Sequence, residues 1–227
     1  MVGIMNKNIW IIANWKSNKT VAEALEWLAQ VGPQLPRDEN LKVVVCPTFS
    51  SLSEVKKAIQ VGNFKVMVGS QDLSPFGQGA YTGEESALLL KDLVNLSIIG
   101  HSERRQNFSE TDEAVSKKVE QALNSNITPL VCVQGADTPV PEGCKLVAYE
   151  PVFAIGTGNP DTPENANETA KILKEKYGVD LKILYGGSVT SENIKAFLNQ
   201  ENLSGALIGK ASLDAEEFAK IVKESIS

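Results

Sequence analysis

Tyr149-Glu150-Pro151-Val152-Phe153-Ala154-Ile155-Gly156-Thr157-Gly158 sets a carboxylate directly before an apolar loop that starts on proline and ends on glycine. Such a carboxylate suits general-base work, which needs a titratable oxygen held within reach of the proton it removes. Pro151 fixes φ at the loop's entrance, while Gly156 and Gly158 leave its exit permissive, so Val152 to Ile155 can swing as one body. The expectation is a base beside a lid built from Pro151, Val152, Phe153, Ala154, Ile155, Gly156, Thr157 and Gly158. His101 is the sole histidine and stands at the start of a short helical turn in Gly100-His101-Ser102-Glu103-Arg104-Arg105. Free backbone N–H groups and the helix dipole disfavour an imidazolium there, so a neutral ring could donate a hydrogen bond and shuttle a proton. A satisfied structural histidine is the plainer alternative. Lys16, in Asn14-Trp15-Lys16, offers a fixed positive charge for an anion or a developing oxyanion, against the alternative of a solvated surface lysine. Gly186-Gly187-Ser188 and Gly209-Lys210 read as backbone nests whose successive N–H groups point at a phosphate, although Gly-Gly-Ser alone is also an ordinary strand-to-helix turn.

These groups are spread along the chain from Asn14 to Lys210, so elements must bring them together. Eight short β-rich runs recur: Ile9–Asn14, Leu41–Cys46, Phe64–Gly69, Leu96–Gly100, Thr128–Val133, Leu146–Tyr149, Leu181–Tyr185 and Gly205–Ile208. Continuous apolar runs such as Lys42-Val43-Val44-Val45-Cys46 suit a parallel sheet buried on both faces. Helical periodicity separates them at about Val21–Val31, Ser53–Gln60, Glu84–Leu90, Asp112–Asn124, Pro163–Tyr177, Ser191–Leu198 and Asp214–Ser225, with Thr111, Thr162, Thr190 and Asp214 as caps. The fold class is therefore α/β, a single (β/α)8 barrel domain over residues 1–227. Between strands five and six, Gly135, Pro139, Pro141 and Gly143 forbid a normal helix, so that helix is missing or vestigial. A doubly wound sheet would usually carry a Gly-rich first turn, and strand one ends instead in Asn-Trp-Lys. In such a barrel, chemistry belongs at the carboxyl ends of the strands. Asn14, Lys16, Gln71, His101, Glu150, Gly186 and Gly209 all fall there.

Composition narrows the rest. The 227 residues carry 22 basic and 28 acidic side chains, a net charge of −6, which argues against nucleic-acid or anionic-membrane partners. Cys46, Cys132 and Cys144 are odd in number and widely spaced, without the pattern of a disulfide framework or a zinc site. The apolar run Ile9 to Ala13 is too short to span a bilayer. A soluble cytoplasmic protein is expected.

At this point the residues resemble the triosephosphate isomerase family, through Asn14-Trp15-Lys16, Gly83-Glu84, Gly100-His101-Ser102-Glu103-Arg104-Arg105, the Tyr149 to Gly158 stretch, Tyr185-Gly186-Gly187-Ser188 and Gly209-Lys210-Ala211-Ser212-Leu213. The similarity runs from about Trp10 to Ile221; the histidine and lid motifs are highly specific, the glycine turns are not. The resemblance implies interconversion of dihydroxyacetone phosphate and glyceraldehyde 3-phosphate without metal or organic cofactor. It implies Glu150 as the base at carbon, His101 as the carbonyl-polarising proton carrier, and Lys16 and Asn14 as enediolate stabilisers. Glu103 would orient Lys16, and backbone N–H groups of Gly156, Ser188, Gly209 and Lys210 would hold the phosphate. Ser74 to Gly83 resembles the loop by which the family's subunits interlock, with Thr82 reaching a partner's site near Asn14 in a homodimer. Departures from the family pattern are Phe153 for the common Trp, Asn159-Pro160-Asp161 at the lid's exit, Cys132-Val133-Gln134-Gly135 after strand five, and Lys210 for a second glycine. Pro160 should stiffen the exit hinge.

Residues alone reach only a proton-transfer enzyme for a small phosphorylated carbonyl compound. Two rivals remain: a barrel isomerase of phosphoribosyl intermediates, which needs acid groups that strands one and five do not end in, and a noncatalytic barrel binding a sugar phosphate or a protein.

Overall fold

The structure, a computed structural model, describes residues 8–154 and 160–227. The elements run β1 (Ile9–Asn14), α1 (Val21–Val31), β2 (Leu41–Cys46), α2 (Leu52–Gly62), β3 (Met67–Ser70), α3 (Ala87–Leu90), β4 (Leu96–Ile99), α4 (Ser102–Phe108), α5 (Asp112–Asn124), β5 (Thr128–Val133), β6 (Leu146–Tyr149), α6 (Pro163–Tyr177), β7 (Lys182–Tyr185), α7 (Ile194–Leu198), β8 (Leu203–Ile208) and α8 (Ala215–Glu224). All neighbouring strands are parallel, and β1 pairs with both β2 and β8, closing the sheet into the expected eight-stranded barrel.

The strands read as largely apolar because both of their faces are covered. Ile12, Val44, Ile98, Leu130, Ala148, Leu184 and Leu207 fill the interior, while Ile11, Val43, Val45, Ile99, Val131, Val147 and Ile183 pack against the helices. Period-two alternation is still present, hidden because the two destinations are equally dry. Threonine and aspartate caps set several helix starts: the side chains of Thr111, Thr162 and Asp214 each accept from a backbone N–H in the first turn of α5, α6 and α8.

Four element starts differ from expectation by two residues or more, each for a local reason. β3 begins at Met67, not Phe64, because Asn63 ends α2 in the left-handed region and the Phe64 ring fills the space beside Gly32 and Gly62. α3 begins at Ala87, since the Glu84 N–H and the Glu85 carbonyl are engaged with Tyr81 and Ser74 of the preceding loop. α7 begins at Ile194, and Thr190 is not its cap: the Thr190 N–H donates to Asn193 Oδ1 and the Ser191 N–H to Glu217 Oε1. β8 begins earlier, at Leu203, and passes Trp10 so closely at Gly205 (φ 155°) that a Cβ there would lie 2.0 Å from the Trp10 carbonyl oxygen.

Among the described residues no helix separates β5 from β6. The connection covers the barrel itself, burying Val140 and Cys144 in the outer core beside Val131 and Val133. At Gly143 (φ 78°) it passes so close to α5 that a Cβ would meet Leu123 Cδ1 at 2.8 Å.

Candidate active site

Asn14, Lys16, His101 and Glu150, which the ends of three strands (β1, β4 and β6) deliver from distant parts of the chain, line one cavity of about 650 Å³ at the carboxyl ends of the strands. Gly186, Gly187, Ser188, Gly209 and Lys210 line it too.

Glu150 follows β6 directly and is 1% exposed. Its Oε1 lies 3.0 Å from His101 Nε2, and its Oε2 accepts from the Ser102 N–H at 3.0 Å. His101 caps α4, and its Nδ1 accepts the Glu103 N–H at 3.2 Å. That bond determines the tautomer: a nitrogen accepting an amide proton carries none of its own, so the ring is neutral with its proton on Nε2. The Glu103 carboxylate lies 3.7 Å from Nδ1, too far for a hydrogen bond, and does not compete for that lone pair.

Lys16 adopts φ 53°, a left-handed conformation worth about 1–3 kcal/mol of strain outside glycine. Surrounding bonds hold it there. Asn14 Oδ1 accepts the Lys16 N–H at 3.1 Å, and Gln71 Nε2 donates to the Lys16 carbonyl at 2.7 Å and to the Cys46 carbonyl at 3.0 Å. The Lys16 ammonium meets Glu103 Oε1 at 2.5 Å. A Cβ at Gly209 would sit 3.4 Å from Lys16 Cε, so the lysine stem runs along the turn after β8.

The glycines of the β7 turn are sterically required. A Cβ at Gly186 would lie 2.8 Å from Glu150 Cγ, and one at Gly187 would lie 2.1 Å from the Tyr185 hydroxyl. Ser188 Oγ donates to the Ala154 carbonyl at 2.8 Å, joining this turn to the segment after Glu150. Of the expected lid, Pro151, Val152, Phe153 and Ala154 are described, the last three as a turn of 3-10 helix, with Phe153 exposed and Ala154 buried. Ile155, Gly156, Thr157 and Gly158 lie outside the described residues, and with them the Gly156 phosphate contact. Thr82 sits on the exposed loop between β3 and α3.

Several participants were not legible beforehand. The sequence placed Gln71 at a strand end but not its bond to the Lys16 backbone, and the Ser102 amide has no side-chain signal at all. The Cys132 thiol is held far above its usual range by burial first and by the neighbouring Glu150 carboxylate second, so it stays protonated under the base. Behind the site, Lys118 of α5 is buried and reaches both Asp72 oxygens at 2.7 Å and Glu110 Oε1. Arg104 Nε completes the tetrad, 2.9 Å from Asp72 Oδ2 and 3.2 Å from Glu110 Oε1. It ties the loop carrying Gln71 to the helix carrying Glu103. Burial raises the Asp72 carboxyl despite Lys118, whereas at Glu110 the bonds from Lys118 and Arg104 overcome burial and lower it. Among the described residues no group of three or more His, Cys, Asp or Glu side chains could hold a metal ion.

The family model described as triosephosphate isomerase matches residues 9–144 and 141–225, its two pieces meeting inside the helix-less β5–β6 connection. Triosephosphate isomerases of Clostridium botulinum (Loch Maree, type A3) and Caldanaerobacter subterraneus subsp. tengcongensis are 45% and 41% identical, each alignment covering 93% of this chain and 97% of the relative. The crystal structure of triosephosphate isomerase from Bartonella henselae superposes with a TM-score of 0.83 at 29% identity, covering 97% of this chain and all of that one. Since these matches span the barrel and its strand-end loops together, rather than the scaffold alone, the chain belongs to the triosephosphate isomerase family.

Proposed function

We propose that this chain interconverts dihydroxyacetone phosphate and D-glyceraldehyde 3-phosphate through an enediolate, with Glu150 as the base at carbon and His101 as the acid at oxygen. The observation that carries the reading is the Glu150–His101 pair at 3.0 Å beside Lys16 in one cavity. Both Glu150 oxygens are engaged in the resting site, so the base must give up a bond to reach a substrate carbon. The His101 Nε2–H now directed at Glu150 is the donor that a substrate carbonyl oxygen would take over. A neutral imidazole is suited to this, since it can lend a proton to one oxygen and recover it from the next. Lys16, oriented by Glu103, would stabilise the negative oxygen with a charge already in place, together with Asn14. Backbone N–H groups at Ser188, Gly209 and Lys210, and at Gly156, would receive the phosphate.

A coupled isomerase assay on the purified protein tests this directly: turnover of both triose phosphates is expected, and absence of turnover in a folded protein overturns it. Lys16→Met should lower kcat by roughly 10²–10³-fold, the scale for losing an oxyanion donor. It should also weaken a phosphate-bearing competitive inhibitor; unaltered inhibitor affinity would remove the anion contact from the account.

Residues 1–227 act in this reading as one barrel domain, supported by closure of the sheet between β1 and β8 and by packing of α8 on α1. The chain is taken as a homodimer that reaches across through Thr82. Support comes from Phe76 stacked on Tyr81 at 4.4 Å on the exposed loop, with Leu88 and Leu89 also exposed nearby in sequence. Apolar surface of that kind marks an association site. Sedimentation should give twice the chain mass, and a monomer at micromolar concentration would defeat the assembly. A cytoplasmic location fits Cys46, Cys132 and Cys144, all free and buried, and no described helix is long and apolar enough to cross a membrane.

A further inference from the structure

Asp161 occupies the point where the chain returns from the segment after Glu150 to enter α6, and it is 8% exposed. Its Oδ1 accepts the Thr162 N–H at 2.8 Å, and its Oδ2 accepts Asn165 Nδ2 at 2.7 Å and the Tyr149 hydroxyl at 3.3 Å. Its own N–H donates to the Tyr185 hydroxyl at 2.7 Å. Among the described residues no ion pair reaches Asp161, and the groups that meet this buried carboxyl are neutral donors. That is a costly way to fill space, because burying a charge carries a large desolvation penalty unless its hydrogen bonds are good.

The two tyrosines show what such bonding fixes. Tyr149 immediately precedes Glu150, and its carbonyl accepts the Gly186 N–H at 2.7 Å. Tyr185 immediately precedes Gly186, stacks on Phe197 at 4.0 Å, and places its hydroxyl against the backbone of Gly187. One side chain and its amide therefore meet the residue before the base, the residue before the β7 turn, and the first turn of α6.

We propose that Asp161 is a positioning residue, which locks the carboxyl ends of β6 and β7 together and thereby sets the direction of Glu150 and of the Gly186-Gly187-Ser188 turn. This rests on the isomerase reading above. Both tyrosine hydroxyls are raised in pKa by burial first, which keeps them protonated for these bonds. Asp161 touches no substrate in this account; it acts through the residues it holds.

The test compares wild type, Asp161→Ala and Asp161→Asn in steady-state isomerase kinetics, each with a thermal midpoint. A misplacement of about 1 Å costs on the order of 10²-fold, so Asp161→Ala should lose about ten-fold or more, mainly in kcat rather than KM. Asp161→Asn keeps an acceptor for Thr162 and a group that the Asn165 amide and Tyr149 hydroxyl can meet by reversing, and it should recover to within about three-fold of wild type. Asp161→Ala within two-fold of wild type in kcat, or equal impairment of both variants, would overturn the inference. Should Asp161→Ala fail to fold, Tyr149→Phe carries the test: reduced kcat at an unchanged midpoint supports the role, and unchanged kcat refutes it. An inactive wild-type protein would instead strike at the isomerase reading, leaving the two failures distinct.

Discussion

Glu150→Gln should lower kcat by roughly 10²–10⁴-fold, the usual contribution of a positioned general base. The amide retains an oxygen for the Ser102 N–H and occupies nearly the same volume, so fold and site shape are preserved while the basic lone pair is lost. Glu150→Asp asks a different question. It keeps the carboxylate but withdraws it by about 1 Å, and roughly 100-fold loss is expected if rate depends on reach as well as basicity. KM should move little in either variant, because the phosphate is assigned to the turns after β7 and β8. Steady-state kinetics alongside a thermal midpoint check both variants. Equal activity in wild type, Gln and Asp forms would remove Glu150 from the role of base.

Lys118→Met carries the largest expected effect on stability. Methionine keeps the length of the lysine stem, so the buried face of α5 that carries Val115, Lys118, Val119 and Ala122 stays filled. What disappears is one of the two cations between Asp72 and Glu110, leaving Arg104 alone against two carboxylates. Breaking a buried pair from one side costs about 3–5 kcal/mol, because the remaining charge is left in low dielectric. For a chain of this size that is a fall of roughly 6–20 °C in midpoint, at about 2–4 °C per kcal/mol. The pH dependence separates this cause from a packing defect. Lys118 lowers both carboxyls in the wild type, so its removal raises both folded values relative to the unfolded chain. A carboxyl with a raised folded pKa destabilises the protein above that value and is relieved as pH falls through it towards its unfolded value. The deficit should therefore shrink between neutral pH and about pH 5, whereas a cavity would cost the same at both. Denaturant melts at the two pH values decide the matter, and a pH-independent deficit would contradict the charge account.

The sequence carried the barrel because every strand has two dry faces. Ile11 and Ile12 go to opposite sides of the sheet yet both must be apolar, so eight short runs separated by helices were enough to count the strands. The absent helix was equally legible, since Pro139, Pro141 and the flanking glycines act locally on φ and on hydrogen bonding. Asn14, Lys16, His101 and Glu150 could be singled out because each stands at the end of such a run, and the motif resemblance gave them roles. Their spatial convergence needed only barrel closure.

Partnership was decided by the tertiary structure. Nothing in the order of residues says that the Ser102 amide holds Glu150, that Gln71 secures the strained backbone of Lys16, or that Asp161 joins Tyr149 to Tyr185. Lys118 makes the reason concrete: it shares the buried face of α5 with Val115 and Val119, and the carboxylates that allow that burial come from the β3 loop and the α4–α5 connection. Composition and periodicity report the medium each side chain enters, which is a local property of the chain. A hydrogen bond or ion pair depends on placing segments far apart in sequence to within a few tenths of an ångström, and that placement is set only when the barrel has closed.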